Sequence, residues 1–291
     1  MQYPTRTWII LQGGEKEQAE VASDLFRGDA GTGAIRGKDI GKVIAVASGK
    51  GGTGKTTTVA AISSCLAALG YRTLCMDFDA GLKNLDLSLC MDDYTVTDYL
   101  DVHTGRLSLM EACHEHPRIP NLFFLSAPTV YEPGSQSIEA MRPMYDEVRR
   151  EFDYCLVDSP PGISLGFKMA HTGADMSIIV TNGELPAVRD AQRAVEAARN
   201  NGVSELRLLV NRVLPENFRK MRTTIDDVID IVGIQLLGIV REDRSVLLSL
   251  HEDTPLVLYD KRVAAYDFLD AARRITGEHI PIKRVPLMLQ A

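Results

Sequence analysis

Nowhere do the 291 residues gather an apolar run approaching the roughly 20 that a membrane span needs. The N-terminus also lacks the basic stretch and apolar core of a secretory signal. Both absences point to a cytoplasmic chain, at most peripheral to the inner face of a membrane. Cysteine is sparse and odd in number: Cys65, Cys75, Cys90, Cys113 and Cys155 are scattered and mostly sit inside apolar runs, as small buried thiols in a reducing compartment do. No C-x-x-C is present to bridge an iron–sulfur cluster across a dimer. Cys113-His114-Glu115-His116 packs three metal-ligand types together, but no second cluster lies near it, and it reads as a polar loop before Pro117. Positive charge is not in excess either, since a net charge of −7 argues against a general nucleic-acid binder. Repeats and low-complexity tracts are missing. The remaining composition is that of an ordinary globular protein with one large core or two modest ones.

What is present is organised around Gly49-Lys50-Gly51-Gly52-Thr53-Gly54-Lys55-Thr56. Before it, residues 42–48 form a short apolar run rich in β-branched side chains, as a buried parallel strand should. After it, residues 57–69 are Ala-rich and stop at Gly70, as a helix with a C-terminal glycine should. Strand, glycine loop and helix are the context that G-x-x-x-x-G-K-[ST] requires of a phosphate-binding loop. The glycines let backbone N–H groups turn around phosphate oxygens, and the helix N-terminus adds partial positive charge. Gly49, Gly51, Gly52, Thr53, Gly54, Lys55, Thr56 and Thr57 are therefore the expected phosphate cradle, with Lys55 on the β- and γ-phosphates and the Thr56 hydroxyl on Mg²⁺.

From Lys42 onward, short apolar runs alternate with helical stretches. Strands are expected at 43–47, 73–77, 122–125, 154–158, 176–181, 207–211 and 236–240, with helices including 137–152, 186–200, 223–231 and 263–276. That alternation predicts an α/β fold, a doubly wound and mostly parallel sheet flanked by helices, over one domain from about 42 to 280. Residues 1–41 read as an N-terminal extension with a glycine-studded link, and 281–291 as a C-terminal tail. In such sheets ligands bind beyond the carboxyl ends of the strands, where the remaining motifs fall. Asp77 and Asp79 close the second strand. One carboxylate suits the Mg²⁺ shell and the other suits orienting a water for in-line attack on a γ-phosphate. Asp158 ends Tyr154-Cys155-Leu156-Val157, a Walker B pattern contacting Mg²⁺ through water, and Ser159-Pro160-Pro161-Gly162 follows as a rigid turn suited to sensing the γ-phosphate. Thr56, Asp77 and Asp158 are the expected metal-side residues.

Lys50, at the second loop position, is the most diagnostic residue. Lys50 to Thr57 resembles the deviant Walker A motif of the MinD/ParA family of ATPases. Residues 78–87, 158–163 and 238–247 resemble motifs of its MinD branch, and the likeness spans about Lys42 to Gly277. The resemblance implies ATP as substrate, Mg²⁺ as cofactor and an ATP-dependent homodimer acting as a switch in the spatial regulation of division or positioning, together with a protein activator or cargo. It implies that Lys50 reaches the partner's phosphates in trans, that Asp79 positions the water, and that Asn211 reads the adenine edge with Asp243 nearby. Lys50, Lys55 and Asp79 are thus the expected catalytic set.

The likeness has departures. Arg241 stands where the late motif has proline, which implies a loop of different shape, and Gly183-Glu184-Leu185-Pro186 replaces the family's Asn-Pro-Glu turn. The family's basic amphipathic membrane helix is not evident at the C-terminus, where Pro281 and Pro286 interrupt any helix. Membrane binding therefore stays open and DNA binding is disfavoured. Two sibling readings also stay open. One is a flagellar-number regulator of the FlhG type, which would account for the extension and for Glu17-Gln18-Ala19-Glu20; the other is a ParA-type partition ATPase.

Overall fold

The computed structural model describes residues 40–79, 84–92, 97–128, 141–214, 224–259 and 263–282. The N-terminal extension (except Ile40 and Gly41), most of the expected tail, and residues 80–83 of the MinD-like motif lie outside the described residues.

Eight strands make one sheet: β1 (Lys42–Ala47), β2 (Thr73–Asp77), β3 (His114–Glu115), β4 (Leu122–Leu125), β5 (Tyr154–Asp158), β6 (Met176–Thr181), β7 (Glu205–Val213) and β8 (Gln235–Arg241). Their order is β3-β4-β2-β5-β1-β6-β7-β8. Every pairing is parallel except β3 with β4. The expected doubly wound sheet is therefore present, with the strand preceding the glycine loop near its middle. β1, β2, β5 and β6 are buried along almost their whole length, as expected of parallel strands covered on both faces.

The helices are α1 (Lys55–Ala68), α2 (Leu85–Leu89), α3 (Tyr99–His103), α4 (Leu109–Ala112), α5 (Met141–Glu151), α6 (Leu165–Thr172), α7 (Leu185–Asn200), α8 (Ile225–Val232), α9 (Ser245–His251) and α10 (Val263–Ile275). One face of the sheet packs Val43, Leu74, Met76, Cys155 and Val157 against Met144, Tyr145 and Val148 of α5. On the β6–β7 side, Ile179, Leu208 and Val210 meet Val188, Ala191 and Val195 of α7 and Val228 of α8. α1 is buried on nearly all sides, from Thr58 through Ala67, because α10 packs on it opposite the sheet. Its small side chains permit that double contact. None of the five cysteines forms a disulfide.

The structure corrects the sequence expectations in a few places. α1 begins at Lys55 rather than Thr57, because Gly54, at φ +86°, supplies the left-handed turn that starts it. β7 runs two residues further at each end than expected. His114-Glu115, read as a polar loop, is a two-residue antiparallel edge strand. Two residues are too few for an alternating pattern, and polar side chains are normal on an exposed sheet edge. Among the described residues no group of three or more His, Cys, Asp and Glu side chains is placed to hold a metal ion. No helix among them is long and apolar enough to cross a membrane.

Candidate active site

The carboxyl ends of β1, β2, β5 and β6 bring the sequence motifs together. β1 runs into Ser48, and the glycine loop turns back into α1 at Lys55. Two glycines of the loop are there for space. A Cβ on Gly49 would lie 2.1 Å from Asp190 O of α7, and one on Gly54 would lie 2.2 Å from Asn211 Nδ2. At Gly49 the obstacle is backbone, and at Gly54 the amide of Asn211 would have to move off the loop. Gly51 and Gly52 face open space, and Ser48 Oγ donates to Lys50 O at 2.9 Å.

Asp158 is the hub. Its side chain is 1% exposed, and Lys55 Nζ donates to Oδ1 at 2.7 Å while the Thr56 hydroxyl donates to Oδ2 at 2.6 Å. Asp77 pairs with Asp158 in the β2–β5 register and is equally buried. Asp79 N donates to Asp77 Oδ1 at 2.7 Å, which turns the chain at the strand end, and Asp79 itself is half-buried. Burial pushes the Asp77 carboxyl up to about 7, and the neighbouring Asp158 charge pushes the same way. Burial also raises Asp158, opposed by Lys55 and Thr56. Two buried carboxylates side by side form a hard-oxygen donor set that a divalent cation would relieve of its mutual repulsion. Thr53 Oγ1 is buried without a hydrogen-bond partner in the heart of the loop. An unpaired hydroxyl of that kind calls for an acceptor from outside the chain. Both observations fit a Mg²⁺–nucleotide ligand.

The loop after β5 is tied to the same place. Phe78 N donates to Asp158 O, Ser159 Oγ donates to Val46 O at 2.8 Å, and Gly162 N reaches Ser48 O at 3.4 Å. Asn211, 5% exposed, donates from Nδ2 to Thr53 O at 2.9 Å, so its amide lies against the loop with Oδ1 still available as an acceptor. Asp243 is differently engaged. Its carboxylate accepts from Ser245 N at 2.9 Å and from Val263 N and Ala264 N at 2.6 and 2.9 Å, so it caps the start of α10. Arg241, where proline was expected, makes a bidentate ion pair with Asp267 of α10.

Lys50 stands apart from this cluster. It sits at the exposed loop tip, and its ammonium is 3.4 Å from Glu184 Oε2, both side chains being half exposed. Glu184 and Arg212 are the residues near the loop that sequence reasoning passed over. Glu184 falls in a turn read only for its departure from the family, and Arg212 directly follows Asn211. Their partners are 134 and 160 residues away, which no local pattern reveals.

A family described as an AAA domain matches residues 41–200. The septum site-determining protein MinD of Synechocystis sp. is 35% identical over 242 residues, covering 82% of this chain and 91% of that protein. Among solved structures, the chain is similar to the MinC:MinD cell division protein complex of Aquifex aeolicus at a TM-score of 0.77 and 35% identity, over 84% of this chain and 98% of that one. It is also similar to the septum site-determining protein MinD of Pyrococcus horikoshii, complexed with Mg-ADP, at a TM-score of 0.72 and 25% identity, over 81% of this chain and 96% of that one.

Proposed function

The chain belongs to the MinD/ParA family of P-loop ATPases, in its MinD branch, and from that premise we propose that it is an ATP-dependent dimerisation switch in spatial regulation of cell division or positioning. The observation that carries the chemistry is the Asp158 hub, which gathers Lys55, Thr56 and Asp77 at the mouth of the glycine loop. ATP binds with its phosphates against the loop N–H groups and the start of α1. Lys55 exchanges Asp158 for the β- and γ-phosphate oxygens, and Thr56, Asp77 and Asp158 are the residues that would hold Mg²⁺. The metal, when bound, supplies positive charge against phosphate oxygens. Asp79 orients a water in line with the γ-phosphorus. The water's oxygen bonds to phosphorus as the bond to the β-bridging oxygen breaks, giving ADP and phosphate.

The dimer reading rests on Lys50. It lies outside its own carboxylate hub, paired among the described residues across the rim with Glu184, so a partner's triphosphate can draw it away at little cost. Ile163 on the loop after β5, Leu165 at the start of α6 and Leu185 at the start of α7, next to Glu184, are exposed. An apolar rim beside an ATP site is a surface that a second copy would bury. Asn211 keeps an acceptor for the adenine amino group, while Asp243 serves that region by shaping its loop. A protein partner fits the switch, as the Aquifex aeolicus relative was solved with MinC.

The test is sedimentation velocity of the Asp79→Asn variant with Mg-ATP and with Mg-ADP, followed by co-sedimentation with anionic liposomes and with DNA. A dimer with ATP and a monomer with ADP is the expected result. A monomer in both would sink the switch, and ATP-dependent pelleting with DNA would move the reading to partition.

A further inference from the structure

The ladder of β7 with β8 is irregular at two places, between Leu208 and Leu209 and again, beside the glycine loop, after Val210. At the second the register shifts between Val210 and Val213. Arg212, inside that break, has φ +57°, a left-handed conformation that a residue with a Cβ adopts at a cost. A bulge re-aims side chains. This one turns two consecutive residues onto two consecutive peptides of the loop: Asn211 Nδ2 donates to Thr53 O at 2.9 Å, and Arg212 Nη1 donates to Gly52 O at 3.2 Å. Glu242 braces the guanidinium from its other side, accepting from Nε at 2.9 Å and Nη2 at 3.3 Å. Glu242 is itself fixed, since its N–H donates to Val213 O at 3.0 Å. Gly52 has φ +81° and no neighbour within 4 Å of its β position, so no side chain of its own helps to fix the peptide that Arg212 holds.

We propose that Arg212 is a positioning residue for nucleotide binding, a fork braced by Glu242 that pins the Gly52 carbonyl outward and so keeps the neighbouring loop N–H groups turned toward the phosphates. The backbone strain at Arg212 persists because the fork is useful there, which is the usual reason strain survives next to a binding site. The proposal rests on reading residues 49–56 as the phosphate site.

Glycine at this position separates the fork from the fold. Arg212→Gly relieves the left-handed strain and removes an exposed ion pair of small worth, so nucleotide-free thermal unfolding should occur no lower than in wild type. Binding should weaken nonetheless: titration calorimetry with Mg-ADP is expected to give a dissociation constant roughly tenfold higher, the order expected for losing one charge-assisted hydrogen bond. Arg212→Lys, which keeps the charge but cannot hold both partners at once, should fall between the two. If Arg212→Gly binds ADP as wild type does, or loses affinity only alongside a matching loss of thermal stability, the fork is wrong while the phosphate site stands. A wild-type protein that does not bind ADP would overturn the site reading and this proposal with it.

Discussion

At the scale of single residues, the two lysines of the glycine loop have opposite physical situations. Lys55 is 7% exposed and locked to a buried carboxylate, whereas Lys50 is half exposed with a weak, salt-screened partner. Their alanine variants should therefore separate. Lys55→Ala leaves Asp158 beside Asp77 without its cation, which should cost roughly 3 kcal/mol of stability and abolish nucleotide binding. Lys50→Ala should change stability by less than about 0.5 kcal/mol, yet lower turnover by roughly 10³-fold, as removing a trans-acting cation does in other phosphoryl-transfer sites. Urea unfolding and phosphate-release assays on the two purified variants check this. If both lose stability equally, or Lys50→Ala keeps its turnover, their division of labour is wrong.

At the scale of elements, α10 and α2 each have one end capped by a side chain from elsewhere. Asp243 caps α10 through Val263 N and Ala264 N. Asp243→Ala should cost about 1 to 2 kcal/mol in unfolding free energy, with a smaller effect on ADP affinity. The opposite balance would return Asp243 to a role at the base. His116 holds the end of α2: Nε2 donates to Leu89 O at 2.9 Å, and Nδ1 accepts from Arg118 N and Ile119 N. Burial pushes His116 down to about 4, and His171, between Phe167 O and Ser177 Oγ, likewise to about 4. Both folded values lie below the ordinary histidine value. The stability they contribute is thus complete above pH about 6.5 and lost as pH falls through about 4. Unfolding free energy should decline over that window, and His116→Asn with His171→Gln should flatten the decline; an unchanged slope would mean the two rings do not titrate as argued. The elements themselves were largely legible. Runs such as 73–77, 122–125, 154–158 and 176–181 match their strands residue for residue, because strands buried on both faces are written as continuous apolar stretches. The edge strand at His114 and the four- and five-residue helices α2, α3 and α4 were not legible, being shorter than any period that could announce them. The glycine loop, Asp77 and Asp158 were singled out by motif order and Asn211 by the family resemblance, whereas the Glu184 and Arg212 contacts arise only when the parallel sheet sets distant strand ends side by side.

At the scale of the whole molecule, the central claim is that one copy lends Lys50 to the other. The chain brings Lys55, Thr56, Asp77 and Asp158 together within itself but leaves Lys50 on the rim. On that claim, two copies facing each other would complete what one lacks, at an interface that ATP would help to build. Turnover per molecule would then rise with protein concentration. The most direct measurement is ATP turnover of an equal mixture of Lys50→Ala and Asp79→Asn proteins, each inactive alone. If Lys50 acts across the dimer, each mixed dimer regains one complete site, made from the Asp79 of one copy and the Lys50 of the other, and random pairing restores about a quarter of wild-type activity. A mixture no more active than its two components would place Lys50 in its own site and contradict the account.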